Sequence, residues 1–255
     1  MPRGEGLMFE TYEEIFDKRG DRYHYAMQSY PEAREKEFRN LLKYSQVDQE
    51  DIIADIPAGG CYFKKYLQNG HLYFVESSEE FLSRCQGGLN KILCPVDDLP
   101  FKTGFFDKVY SLAGTHHLED KRPLFAEVHR VLKTDGDFVY ADVKTGSRED
   151  DFLNIFVDRY NSMGHKGIFI NEATIAAMER FGLKVQTAEY LDFTWNFASE
   201  ADMIDFVKNL FGLDLAANDD EILRGIDSYL GYHQEDGKVY MNWGLYYLHA
   251  TKAST

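Results

Sequence analysis

Two carboxylates stand 21 positions apart, each closing an apolar run: IIAD ends in Asp55 and HLYFVE ends in Glu76. One strand–helix–strand unit has this spacing, and it brings both acids to the same edge of a parallel sheet, beside a bound nucleoside. Between them lies PAGG, residues 57–60. The small residues Pro57, Ala58, Gly59 and Gly60 let the backbone approach a ligand closely, and a helix over 61–69 offers free N–H groups at its start. An acid in the position of Glu76 can accept hydrogen bonds from both ribose hydroxyls. Pro57 and Cys61 stand where a GxGxG turn has glycines, so a dinucleotide pyrophosphate fits poorly. A tight turn would explain the glycines alone, and a solvated strand end would explain Glu76 alone. Their spacing favours a ligand site.

Other candidates for chemistry lie apart from this unit. His116 and His117 are adjacent, and histidine is the usual proton acceptor near neutral pH, although a structural or loop role explains the pair more readily than a base does. Near the N-terminus, Tyr12, Phe16 and Arg19 share one helical face and Tyr23 and Met27 another, with His24 beside them. Packing of an amphipathic helix on a sheet explains this arm as readily as a ligand does. The same holds for Trp195, Phe197, Phe211, Asn242 and Trp243, which suit either a core or a pocket wall. No metal-ligand cluster is read from the sequence.

These residues need elements to position them. Residues 8–45 read as helical, punctuated by Gly20 and Pro31. Strands are expected at 51–56, 72–76, 91–94, 106–112 and 138–143, with helical stretches at 61–69, 78–87 and 121–133. Such alternation implies a doubly wound α/β fold, a mostly parallel sheet covered on both faces. FINEATIAAMERFG reads as a helix with an Asn171 cap and a Gly182 stop. KVQTAEYLDFTW and KVYMNWGLYYLHA read as strands, and the two helices between them form a cap insertion at about 199–232. The organisation expected is a helical lid over 1–45 and one α/β domain over 46–255.

Composition narrows the partners. With 44% hydrophobic and 28% charged residues, the 255-residue chain suits one large domain. A net charge of -15 repels phosphate backbones, which disfavours nucleic acid as substrate. It favours a neutral or cationic small molecule, although net charge says little about one pocket. The 17 Tyr and 19 Phe are enough to line a pocket for a flat or cationic ligand as well as a core. No run approaches the roughly 18 apolar residues that read as a membrane helix, and MPRGEGLMFETYEE lacks the apolar core of a signal peptide. Cys61, Cys85 and Cys94 are odd in number and lack metal spacing, so a reducing cytoplasm is the expected setting.

Residues 94–143 carry DDLPF, FDKVYS, THHLED and EVHRVLKTDG in order and without a gap. Together with DIPAGG, they resemble a class I S-adenosylmethionine-dependent methyltransferase of the small-molecule, type 11 group. The resemblance covers roughly residues 50–145. It implies S-adenosylmethionine as cofactor, its methionine part held by Asp55, Pro57, Ala58 and Gly59. Glu76 would take the ribose hydroxyls, with Ser77 nearby. Asp97, Asp98 and Leu99 would border adenine, through a carboxylate and a backbone N–H. Pro95 stands where the family often has the adenine-binding Asp, which moves that role to Asp97. Ala113 and Gly114 would border the amino-acid end. In such a family the N-terminal arm closes over the cofactor. Arg19 would then pair with its carboxylate, Tyr12 would share that face, and Tyr23 or His24 would meet the acceptor; His117, apart from the arm, is the candidate base. The implied reaction is in-line displacement of the sulfonium methyl by an acceptor oxygen, nitrogen or carbon, with no metal required. Two other readings stay open: cyclisation or elimination on the cofactor itself, and a non-catalytic cofactor-binding subunit.

Overall fold

A computed structural model describes residues 12–86, 90–216 and 218–253, with side chains from residue 18 onward. Strand β1 (Ile52–Asp55) pairs in parallel with β2 (His71–Glu76), and β2 with β3 (Asn90–Leu93). On its other side β1 pairs with β4 (Phe106–Leu112), and β4 with β5 (Leu132–Asp142), again in parallel. The chain thus winds outward from β1 through β2 to β3, then returns to wind the other way from β4. The crevice between the carboxyl ends of β1 and β4 is where the winding reverses, the place where open α/β sheets bind ligands.

The sheet then changes sense. β8 (Lys238–Lys252), the last of the described strands, inserts antiparallel between β5 and β6 (Leu183–Phe197). The complete order is β3-β2-β1-β4-β5-β8-β6, with the short β7 (Tyr232–Glu235) forming a hairpin with β8. That hairpin is absent from the expected elements. Its strand is mostly exposed and polar, so it lacks the apolar run that marks a buried strand.

Side chains alternate across the sheet, as period-2 geometry requires. Val139, Ala141, Leu245 and Tyr247 face one core, and Phe138, Tyr140, Leu248 and Ala250 face the other. The first core is covered by α2 (Glu35–Leu41), α8 (Glu200–Leu210) and α9 (Asp219–Tyr229). The second is covered by α4 (Arg122–Val131) and α7 (Glu172–Arg180), between which the chain forms the short helices α5 (Arg148–Asp151) and α6 (Asp158–Tyr160). The α7 cap is as expected: the Asn171 side chain accepts from Thr174 N at 3.1 Å in a reciprocal capping box, and Gly182 follows at φ 81°.

Three expectations differ. Gly20 does not break the arm: helix α1 (Tyr12–Ser29) runs through it. A Cβ there would lie 3.2 Å from Glu80 Cγ and 3.6 Å from the Phe81 ring, so the glycine permits close packing on α3 (Glu79–Arg84). The helix expected at 61–69 is a five-residue 3-10 helix, Tyr62–Tyr66, preceded by Cys61 in the left-handed region at φ 62°. Strand β5 starts at Leu132, and residues 133–136 bulge out beside Asp107, with Asp135 at φ 59° and Lys133 Nζ 2.7 Å from Asp107 Oδ1.

Candidate active site

The glycine hinge after β1 is stitched to both neighbouring strands. Ile56 N–H donates to Tyr110 O on β4, and Ala58 N–H donates to Val75 O on β2, each at 2.9 Å. Gly59 sits at φ 53°, and a Cβ built on it would find nothing within 4 Å, so the space above the hinge is open. Its N–H donates to Glu76 Oε2 at 2.7 Å, while Ser77 and Ser78 N–H both donate to Oε1 at 2.9 Å. This differs from the expected helix N-terminus with free N–H groups. The 3-10 helix is too short to offer one, and the Gly59 donor is already used. Asp55 is buried at the tip of β1. Burial, followed by the charge of Glu76, pushes its carboxyl well above the usual range.

Across the crevice, β4 runs into Ala113 at φ 47°, then Gly114. A Cβ on Gly114 would stand 2.6 Å from Pro57 Cγ. Glycine is required here because the β1 and β4 loops touch. The next residues, Thr115–His117, form a 3-10 turn under the tip of β5. Asp142, fully buried at that tip, accepts from Val143 N at 2.8 Å and Thr115 Oγ1 at 3.3 Å. It also lies 2.9 Å from His116 Nδ1, which fixes that ring.

Beside this turn opens a cavity of about 80 Å³. Its walls come from α1 (Arg19, Tyr23), from Arg34 just before α2 and Glu37 on it, from the β4 and β5 tips, and from Trp195, Phe211 and Trp243. Arg34 Nη1 donates to the Tyr23 hydroxyl at 2.9 Å and Arg34 Nε donates to Glu37 Oε2 at 2.6 Å. Trp195 Nε1 donates to Glu37 Oε1 at 3.0 Å. Burial opposes charge on Arg34, but Glu37 and Tyr23 outweigh it and hold the guanidinium protonated. Two buried donors on the wall, Arg19 Nε and Trp243 Nε1, have no hydrogen-bond partner among the described residues. Desolvation lowers the Arg19 pKa to about 10.

The residues singled out in the sequence fall into distinct groups. Asp55, Pro57, Ala58, Gly59, Glu76 and Ser77 form the hinge side, and Ala113 and Gly114 face it from β4. Arg19, Tyr23 and His117 line the cavity. His24 does not: its Nδ1 is hydrogen-bonded to the Tyr62 hydroxyl and its Nε2 lies 2.9 Å from Gln28 Nε2. One residue along a helix turns the side chain by about 100°, so Tyr23 and His24 cannot both meet an acceptor. Asp97 and Asp98 are exposed, whereas Leu99 is buried and its N–H donates to Glu127 Oε2 at 2.8 Å. That N–H is therefore not free for adenine, a correction to the expected role. The side chains of Tyr12 and Phe16 lie outside the described residues. Cys61 and Cys85 are joined by a disulfide with Cα atoms 5.4 Å apart, against the expectation of reduced thiols. They are 24 positions apart in sequence and meet only because α3 packs beneath the hinge.

Asp142 and His165 were not foreseen as site residues. Asp142 carried a usable signal, since it ends a strand as Asp55 and Glu76 do. His165 lies in a loop with no periodic pattern. Asn154, on the wide π turn Phe152–Val157, accepts from Gly167 N at 2.7 Å and donates to Gly167 O at 3.0 Å. Ile168 N–H donates to His116 O at 2.8 Å. These bonds bring His165 to a ring-centroid distance of 5.5 Å from both His116 and His117, which are themselves 4.2 Å apart. Desolvation, followed by the neighbouring imidazoles, holds His117 and His165 well below the usual histidine pKa, so both are neutral.

A family model described as a methyltransferase domain matches residues 54–140, from the hinge to β5. YrhH of Bacillus subtilis (strain 168), whose own methyltransferase assignment is provisional, is 26% identical over 145 residues, 50% of this chain and 81% of YrhH. Residues 54–140 form a methyltransferase domain of the class I, S-adenosylmethionine-dependent type. Solved structures share the methyltransferase fold over nearly the whole chain. Phosphoethanolamine N-methyltransferase 2 of Haemonchus contortus, in complex with phosphomonomethylethanolamine and S-adenosylhomocysteine, superposes with a TM-score of 0.65 at 14% identity, covering 96% of this chain and 61% of that one. The [4+2]-cyclase SpnF superposes with a TM-score of 0.64 at 12% identity, covering 98% and 100%. The other curated relatives are matched over 32%, 39% and 52% of their own length.

The cofactor of this methyltransferase is S-adenosylmethionine, and the residues present fit it. Open space lies above Gly59, a buried acid ends each of β1 and β2, and an unpartnered guanidinium N–H lies in the adjoining cavity. Among the described residues, no helix is long and apolar enough to cross a membrane.

Proposed function

We propose that this chain methylates a small molecule held in the cavity between α1, α2 and the tips of β4 and β5. The observation that carries the reading is the placement of that cavity. It begins at Ala113, directly across from the hinge, and its wall holds two buried donors without partners. Such donors are costly unless a ligand supplies acceptors, so the acceptor, or the cofactor carboxylate beside it, carries oxygen atoms that meet Arg19 and Trp243.

The residues divide the work. Asp55 and Gly59 hold the methionine part of the cofactor, Glu76 and Ser77 its ribose, and Asp97 and Asp98 border its base. The cofactor brings an activated methyl group, so the protein mainly aligns the acceptor and excludes water. Helices α1 and α2 act as the lid, with α8 behind α1. The chain of bonds Tyr23–Arg34–Glu37–Trp195 fixes the cavity wall at the rotamer level, so that the acceptor is presented in one orientation. A proton leaving the acceptor meets the His116–His117–His165 cluster, where Asp142 stabilises positive charge.

The two other readings lack support of this kind. Cyclisation on the cofactor suits a lid with no room for an acceptor, and here there is a cavity. A cofactor-binding subunit without activity suits a blocked methyl face, but Cys61 turns away to Cys85. The test is turnover against a panel of small oxygen, nitrogen and carbon nucleophiles, read by mass spectrometry of the cofactor. S-adenosylhomocysteine formed only with an acceptor present supports methyl transfer. Thioether fragments formed without one would favour cyclisation or elimination instead.

A further inference from the structure

We propose that His116, His117 and His165 bind a divalent transition-metal ion, such as Zn²⁺, at the inner end of the acceptor cavity. One ligand atom from each ring lies within 4.8 Å of those of the other two, and all three residues line the cavity. Three imidazoles with an open fourth position form the donor set of a metal site that also takes a small-molecule ligand, and imidazole suits zinc, iron, nickel and copper.

The surroundings orient the rings for this role. Metal-bound histidines usually donate their other N–H to a carboxylate or carbonyl, which fixes the tautomer. His116 Nδ1 lies 2.9 Å from Asp142 Oδ1, and His165 Nδ1 lies 3.3 Å from Asn154 Oδ1. Both arrangements leave Nε2 with its lone pair for an ion. Asp142, fully buried, contributes a compensating negative charge against Arg19, Lys121 and Lys166 nearby. At metal–nitrogen distances of about 2.0–2.1 Å the nitrogens around an ion must lie closer together than 4.8 Å. The ion therefore draws the rings inward as it binds.

This site deepens the methyltransferase reading. An acceptor hydroxyl on the open position would become more acidic as a metal ligand and release its proton to solvent as it binds, leaving a bound alkoxide as the nucleophile next to the sulfonium, so that in the ion-loaded chain the three histidines act as ligands rather than as the proton acceptor. Binding of the ion itself does not depend on that reading and is measured without cofactor.

The experiment uses the untagged full chain, stripped with a chelator and dialysed. Co²⁺ is titrated by visible absorption, and Zn²⁺ by calorimetry with elemental analysis of the product. The expected result is one ion per chain, bound at micromolar concentration or tighter, with visible Co²⁺ bands that Zn²⁺ removes. His117→Gln and His165→Asn should each weaken binding by at least about tenfold, and Asn154→Ala by about 10–100-fold through loss of ring orientation. His233→Ala, an exposed histidine on β7, should bind as the parent does. Circular dichroism confirms that each variant is folded. Absence of saturable Co²⁺ or Zn²⁺ binding to the parent chain would overturn the proposal whatever the variants do. So would binding that survives unchanged in folded His117→Gln and His165→Asn.

Discussion

The Gly59 N–H and the Glu76 carboxylate meet at 2.7 Å, so the glycine hinge and the acid at the tip of the next strand form one hydrogen-bonded unit. Glu76 spends its other oxygen on Ser77 and Ser78. A change at Glu76 therefore alters the hinge as well as the acid.

Glu76→Ala should weaken S-adenosylmethionine binding by roughly 1.5–3 kcal/mol, the range for a hydrogen bond to a charged group. It should also lower the melting temperature, because three backbone donors lose their acceptor. Glu76→Gln keeps an acceptor oxygen and should lose less stability. Calorimetry and thermal unfolding check both, and unchanged affinity in a folded Glu76→Ala chain would remove this residue from the site.

Asp55 links binding to pH. Its carboxyl is raised, so the protonated form is favoured in the folded chain without cofactor. The stability this lends is present below the unfolded pKa and is lost as pH rises through the folded value. The cofactor is cationic at its sulfonium and ammonium and favours the ionised carboxylate. Affinity should therefore rise with pH up to a plateau, with release of a proton on binding. Calorimetry in two buffers of different ionisation heat measures that proton, and Asp55→Asn should abolish it. Proton uptake by the parent chain would contradict the assignment.

Gly114 and Gly59 should fail differently. Gly114→Ala forces a Cβ to 2.6 Å from Pro57 Cγ and should cost about 1–3 kcal/mol by overpacking. Gly59→Ala meets no atom, but its left-handed backbone at φ 53° costs about 1–2 kcal/mol and its methyl enters the open space above the hinge. Denaturant unfolding should rank Gly114→Ala as equally or more damaging to stability. Cofactor titration should show the larger loss of affinity per unit of lost stability for Gly59→Ala.

Arg19→Met should separate binding from folding. The guanidinium is desolvated and its Nε lacks a partner among the described residues, so thermal stability should hold or rise. Affinity for the ligand whose carboxylate or other oxygen it meets should fall by roughly 1.5–3 kcal/mol. A marked drop in melting temperature with affinity intact would make Arg19 a structural residue.

Tyr23 and His24 are adjacent, but only Tyr23 lines the cavity. Tyr23→Phe removes the hydroxyl that accepts from Arg34 and should slow turnover, whereas His24→Ala should disturb mainly the Tyr62 contact and slow it less. Steady-state kinetics on the two variants decides the order.

The parallel half of the fold was legible because its strands are short apolar runs tipped by acids or small residues, and because βαβ units have a fixed spacing. The same pattern exposed Asp55 and Glu76, while the Ala113–Gly114 turn came from the family resemblance. What stayed hidden depends on tertiary contact. Gly20 looks like a helix breaker, yet it marks a close approach to α3. Cys61 and Cys85 pair across a packed helix, which no spacing rule predicts. The free N–H assigned to Leu99 is taken by Glu127, 28 positions away. His165 has no local signature and joins His116 and His117 only through the bonds that Asn154 and Ile168 make.

The final strand, β8, lies between β5 and β6 and supplies Trp243 and Leu245 to the cavity wall. During synthesis the ribosome delivers the hinge and the first five strands early, while β5 and β6 wait with unpaired edges for a segment still to be translated. Until that segment arrives the nascent chain has a nucleoside crevice and no finished acceptor pocket. This interval is also when its open edges are most prone to pair with another chain.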